Sequence, residues 1–123
     1  MHLKFIICSM DLGLKEKIII VTGGSKGIGK GIVSLLVEEN AIPIIIGRNK
    51  ESINDLVNFY SKTGIKIGYA FAELTDQIQC KEAIEKIIND FGRIDGLVNN
   101  AGVNDNIGLE SGNYDNFLES IKR

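Results

Sequence analysis

The stretch Thr22-Gly23-Gly24-Ser25-Lys26-Gly27-Ile28-Gly29 is where this sequence could do chemistry, because its glycines fall between a β-branched run and a stretch of helical periodicity. A strand turning through glycines into a helix offers free N–H groups and about half a positive charge, which suits a dinucleotide pyrophosphate. Gly23 permits the turn, Gly27 lets the backbone approach the phosphates, and Gly29 lets the helix pack closely on the strand. Ser25 and Lys26 can add a hydroxyl and a cation. A glycine-rich turn serving only helix packing is the plainer alternative, and the placement between strand and helix argues against it. The spacing is TGxxxGxG, neither GxGxxG nor the GxxxxGKS/T of a P-loop nucleotidase.

A second candidate group is Gly47-Arg48-Asn49-Lys50, about twenty residues beyond Gly27, where an NAD enzyme places an acid against the ribose 2′-hydroxyl. No acid stands there, and Arg48 could fork onto a 2′-phosphate with two charge-assisted hydrogen bonds. NADP is therefore favoured over NAD, with a solvated surface arginine as the alternative reading. The remaining polar residues suggest less. Asp11, Asp55, Asp90 and Asp95 read as solvated helix-end or turn acids, and His2 has no nucleophile beside it. Cys8 and Cys80 are far apart with no CxxC pair, so neither a disulfide framework nor a metal site is indicated and a reducing cytoplasm is the simplest home.

The elements that must position these groups alternate. Lys17 to Thr22 and Ala41 to Ile46 are apolar runs without alternation, as in strands buried on both faces, with Pro43 tolerable near a strand start. Between them, Ile28 to Glu39 carries a helical stripe. Ser52 to Tyr60 places Ile53, Leu56, Val57 and Tyr60 on one helical face, and Gly64 is a natural stop. A third strand is expected from Ile65 to about Ala72. Thr75-Asp76 can cap a helix with Cys80, Ala83, Ile84, Ile87, Ile88 and Phe91 on its apolar face and Gly92 beyond, which makes Cys80 a core thiol. A fourth strand from Ile94 to Asn99 leads through an Asn- and Gly-rich loop to a helix starting at Asn113 or Tyr114. Strands alternating with helices mean βαβ units and a parallel sheet.

The chain has 123 residues, 44% hydrophobic and 24% charged, with fourteen glycines, one proline and a formal charge of −2. That balance gives no global basic field for nucleic acid. No apolar run approaches the ~20 residues that span a bilayer. Residues 1–13 read as an untargeted extension, with a start at Met10 as one reading, and residues 14–123 as a single incomplete domain.

With the TGxxxGxG loop at Thr22 to Gly29, Leu97-Val98-Asn99-Asn100-Ala101-Gly102 at the end of the fourth strand and Glu73-Leu74-Thr75 after the third, the chain from Leu14 to Arg123 resembles the short-chain dehydrogenase/reductase family. The resemblance implies an α/β, Rossmann-type doubly wound parallel sheet of order 3-2-1-4, ending after the fourth strand and the start of the fourth helix. It implies that Asn99 braces the sheet while Asn100, Ala101 and Gly102 line the cofactor's ribose. It implies also that Glu73, one methylene longer than the family's Asp and followed by Leu74, meets the adenine amino group, and that Lys26 sits where the family often adds a second cation. Such enzymes move a hydride between NAD(P) and an alcohol or carbonyl, usually as dimers or tetramers. The loop Val103 to Glu110 is similar to that of sugar dehydrogenases acting on L-fucose-like substrates.

The family's proton relay pairs a tyrosine with a lysine four residues later, whose charge lowers the phenol pKa. Here Tyr60 is followed at that spacing by Gly64, Tyr69 by Glu73 and Tyr114 by Leu118. Phe117 to Arg123 resembles the stretch that runs up to the family's catalytic asparagine. No catalytic residue is assigned, and the expected reading is a cofactor-binding N-terminal half without turnover of its own. A non-catalytic NADP-binding module and a non-functional truncated relic are the alternatives.

Overall fold

Ile18–Thr22 forms the first strand, β1, with all five side chains buried, because an Ile-Ile-Ile-Val run has no polar face to show water and needs cover on both sides. In the computed structural model the described residues are 10–103 and 110–122. Three further strands are β2 (Ile42–Gly47), β3 (Gly68–Phe71) and β4 (Gly96–Val98), alternating with helices α1 (Gly27–Glu38), α2 (Lys50–Lys62), α3 (Gln77–Phe91) and α4 (Tyr114–Ile121). The strands are all parallel, in the order β3-β2-β1-β4. This is the doubly wound, Rossmann-type sheet the sequence predicts. Thr22 pairs with Ile46, Gly47 with Phe71 and Val21 with Val98, so the carboxyl ends of all four strands open on one edge.

Each face of the sheet has its own core. On one side Ile19, Val21 and Ile45 pack with Val33 and Leu36 of α1 and with Ile53, Leu56 and Tyr60 of α2. On the other, Ile18, Ile20, Ile44 and Ile46 pack with Ala83 and Ile87 of α3. Pro43, the second residue of β2, is fully buried and aligns with Ile19. No helix among the described residues is long and apolar enough to cross a membrane.

The departures from expectation have local causes. The helix α2 starts earlier than Ser52 because Asn49 caps it, its Oδ1 accepting from the Ser52 N–H at 3.0 Å. The third strand begins at Gly68 and not at Ile65, since Ile65 donates its N–H back to the Tyr60 carbonyl at 3.1 Å, after Gly64 has turned the chain at φ +75°. Gly68 then allows close packing. A Cβ there would lie 2.5 Å from Ile44 Cδ1 and 2.7 Å from Phe91 Cζ. Cys80 is half-buried and not a core thiol; its Sγ lies 3.5 Å from the Leu74 carbonyl oxygen. Only Ala83 and Ile87 of the α3 stripe are buried, while Ile84 and Ile88 are exposed.

Candidate functional site

Four loops leave the carboxyl ends of the strands side by side, and between them lies a cleft of about 920 Å³. That is near the upper end of the usual range for ligand clefts. Its walls come from the β1–α1 turn (Gly23, Ser25, Lys26, Gly27, Ile28), from the ends of β2 and β3 (Gly47, Arg48, Ala72, Glu73, Leu74) and from the segment after β4 (Asn100, Ala101, Gly102). A crevice at the carboxyl edge, where successive crossovers leave on opposite faces, is the usual ligand position of an open α/β sheet.

The β1–α1 turn is shaped for close approach. Gly23 has φ +64° and Gly27 φ +52°, both in the left-handed region that favours glycine. A Cβ on Gly27 would meet nothing within 4 Å, so that backbone faces open space. Gly29, by contrast, is buried, and a Cβ there would run into the Gly23 carbonyl oxygen. Gly24 is less tight, since its Cβ would lie 3.1 Å from Val33 Cγ2 and 3.2 Å from the Val21 carbonyl. Helix α1 starts at Lys26 in an extended conformation with no side-chain cap, and its first turn holds no acid. Its leading N–H groups therefore carry the helix's partial positive charge toward the cleft, with no side chain taking it up.

Behind this turn, Thr22 ties the two sides together. Its Oγ1 accepts from the N–H groups of Asn100 and Ala101, each at 3.0 Å, and donates to the Val98 carbonyl at 3.3 Å. Asn100 returns the link, its Nδ2 donating to the carbonyls of Thr22 (3.0 Å) and Gly23 (3.3 Å). Asn100 thus braces β1 to the segment after β4. Ser25 and Ser52 share a hydroxyl hydrogen bond of 2.9 Å that fastens the turn to α2.

Beyond the ends of β2 and β3, Arg48 Nη1 donates to Glu73 Oε2 at 3.1 Å. The Glu73 carboxyl is held below the usual range, first by the Thr75 backbone N–H and then by the Arg48 guanidinium. Lys26 and Arg48 both line the cleft, which thus offers two cations and an uncapped helix end to an anionic ligand.

The structure brings together Gly23, Ser25, Lys26, Gly27, Ile28, Arg48, Glu73, Leu74, Asn100, Ala101 and Gly102. Thr22 and Gly29 lie behind the lining as packing and bracing residues, and Asn99 is outside it. Sequence reasoning missed Gly24, where a Cβ would press on Val33 of α1, the Val21 carbonyl of β1 and Ile45 of β2. It missed as well the Thr22 clamp, which joins segments 78 and 79 positions apart. The expected sugar-dehydrogenase resemblance falls on the loop from Val103 to Glu110, of which residues 104–109 lie outside the described residues.

A parallel sheet in this order with a glycine turn at its crevice defines a Rossmann-type nucleotide-binding fold. Residues 17–123 match the short chain dehydrogenase family, and the chain belongs to it. It is 38% identical over 90 residues to the 3-oxoacyl-(acyl-carrier-protein) reductase FabG of Thermotoga maritima, covering 73% of this chain and 37% of that protein. Among solved structures it resembles the L-sorbose reductase of Gluconobacter frateurii complexed with NADPH and L-sorbose, at 25% identity and TM-score 0.75, over 86% of this chain and 41% of that one. It also resembles a short chain dehydrogenase from Shigella flexneri complexed with NADP, at 26% identity and TM-score 0.76, over 93% and 49%. The chain therefore spans less than half the length of these relatives.

Proposed function

We propose that this chain is the dinucleotide-binding part of an NAD(P)-dependent oxidoreductase, with NADP favoured over NAD. The carrying observation is the cleft itself, in which the uncapped start of α1, the open backbone of Gly27, Lys26 and Arg48 all face the same space. The residues suit the cofactor: Gly23 and Gly27 let the backbone approach a pyrophosphate, and Arg48 carries a fork for a 2′-phosphate at the position where an NAD enzyme keeps an acid. Two structural relatives at similar TM-score were solved with NADP or NADPH. Bound nicotinamide supplies hydride chemistry, and the whole enzyme would act on an alcohol or carbonyl substrate. The chain's own contribution is binding and orientation, because none of its tyrosines carries a lysine four residues on. Among the described residues no feature narrows the substrate to an L-fucose-like sugar. The free Cys80 suits a reducing, cytoplasmic setting.

Calorimetric titration of the 123-residue chain with NADPH and NADH tests this reading. Tighter binding of NADPH is expected, with Arg48→Ala removing about tenfold of that affinity and leaving NADH little changed. Absence of heat with both cofactors overturns it.

A further inference from the structure

Glu73 divides its carboxylate between two loops. Oε1 accepts from the Thr75 hydroxyl at 3.2 Å and from the Thr75 backbone N–H at 3.4 Å, while Oε2 takes the Arg48 Nη1 hydrogen at 3.1 Å. The loops themselves are tied, since the Ala72 N–H donates to the Gly47 carbonyl at 3.0 Å. The pair is therefore fixed at the cleft mouth although the Arg48 side chain is 72% exposed and that of Glu73 is 37% exposed. Glu73 is the acid of the cleft lining, and Arg48 is the lining cation it neutralises. Lys26, also in the cleft lining, forms no ion pair among the described residues, and Lys50 lies over the Phe71 ring at 5.4 Å.

We propose that Glu73 is a positioning residue that holds Arg48 as an internal ion pair, so that a 2′-phosphate must share or displace this carboxylate and the chain's preference for NADPH over NADH is lower than Arg48 alone would confer. The inference rests on the reading of the cleft as a dinucleotide site. Its physical basis is that a guanidinium has five N–H donors but one charge. A carboxylate already at hydrogen-bond distance offsets the attraction that a second anion would feel. The single Nη1 bond also holds the guanidinium toward β3, so bidentate grip on a phosphate requires it to move or to be shared. The effect is confined to the 2′-phosphate, which NADH lacks.

The decisive experiment titrates the full chain calorimetrically with NADPH and NADH, and with adenosine 2′,5′-bisphosphate against adenosine 5′-phosphate. Glu73→Gln keeps an Oε1 acceptor for Thr75 and removes the counter-charge. It is expected to raise the NADPH-to-NADH and bisphosphate-to-monophosphate affinity ratios about threefold, the scale of an exposed ion pair. In an Arg48→Met background the same substitution should have no effect. Glu73→Asp, which retracts the charge by one methylene, should shift the ratio in the same direction. Because each result is a ratio of two ligands on one preparation, partial unfolding of a variant does not produce it. An equal change for both ligands of a pair, or no change for either, overturns the proposal. Failure of the unsubstituted chain to bind any of the four overturns the dinucleotide reading beneath it.

Discussion

Asn49, Asp76 and Asn113 each place a side-chain oxygen on first-turn N–H groups of α2, α3 and α4, whereas α1 starts at Lys26 with no side-chain acceptor and no acid in its first turn. The capped ends are closed locally: Asp76 Oδ1 serves both Ile78 and Gln79, and Asn113 and Asn116 form a reciprocal box. The α1 end is instead bordered by Gly23 and Gly27 and opens into the cleft. A cap contributes about 1 kcal/mol to a helix. The difference thus separates ends built for local stability from one whose donors are left for a ligand.

Gly29 is where breaking that difference should cost most. Gly29→Ala drives a methyl into the Gly23 carbonyl, a backbone atom that cannot rotate away, so destabilisation of about 3 kcal/mol, the upper range of overpacking, is expected. Chemical denaturation measures it directly. A midpoint unchanged from the parent chain would mean that α1 is not seated against the turn as described. Lys26→Asp should come next and should split two properties. An acid at this extended N-cap position gives α1 the acceptor its neighbours have, raising stability by up to about 1 kcal/mol. The same carboxylate repels phosphates, so NADPH affinity should fall while the melting temperature rises. A variant that gained or lost both together would erase the distinction between the two kinds of helix end.

How much of this was readable beforehand depended on whether a feature is local. The buried runs of β1 and β2, the stripe of Ile53, Leu56 and Tyr60 and the left-handed Gly92 stop of α3 are each written in a short window and appear where expected. Asn49 is equally legible as a cap, since it stands just before Ile53 and Leu56. The link from Asn100 to the Thr22 and Gly23 carbonyls joins positions more than seventy residues apart, so no local pattern reveals it. Gly68 and the Arg48–Glu73 pair depend on contacts between elements far apart in sequence, and no short window contains both partners. Eleven of the fourteen predicted residues nonetheless line one cleft, because parallel register brings every strand's carboxyl end to one edge.

The smallest effect distinguishes the helix ends by acid. The Asp76 carboxyl is held below the usual range, chiefly by the Gln79 backbone N–H and then by the Gln79 side chain. A group whose pKa is lower folded than unfolded stabilises the fold above its unfolded value and loses that contribution as pH falls through the folded one. The α3 cap should therefore weaken as pH drops below about 4. Glu73 and Asp95, lowered in the same direction by the Thr75 and Ile18 backbone N–H groups respectively, add to the loss. In an NMR titration the amide shifts of Ile78 and Gln79 should move together in this window. Those of Ile28 and Gly29, at a helix end that carries no acid, should stay still. Matching titrations at both ends would place a carboxylate at the α1 terminus, and the contrast between donors closed by the protein and donors left open would no longer hold.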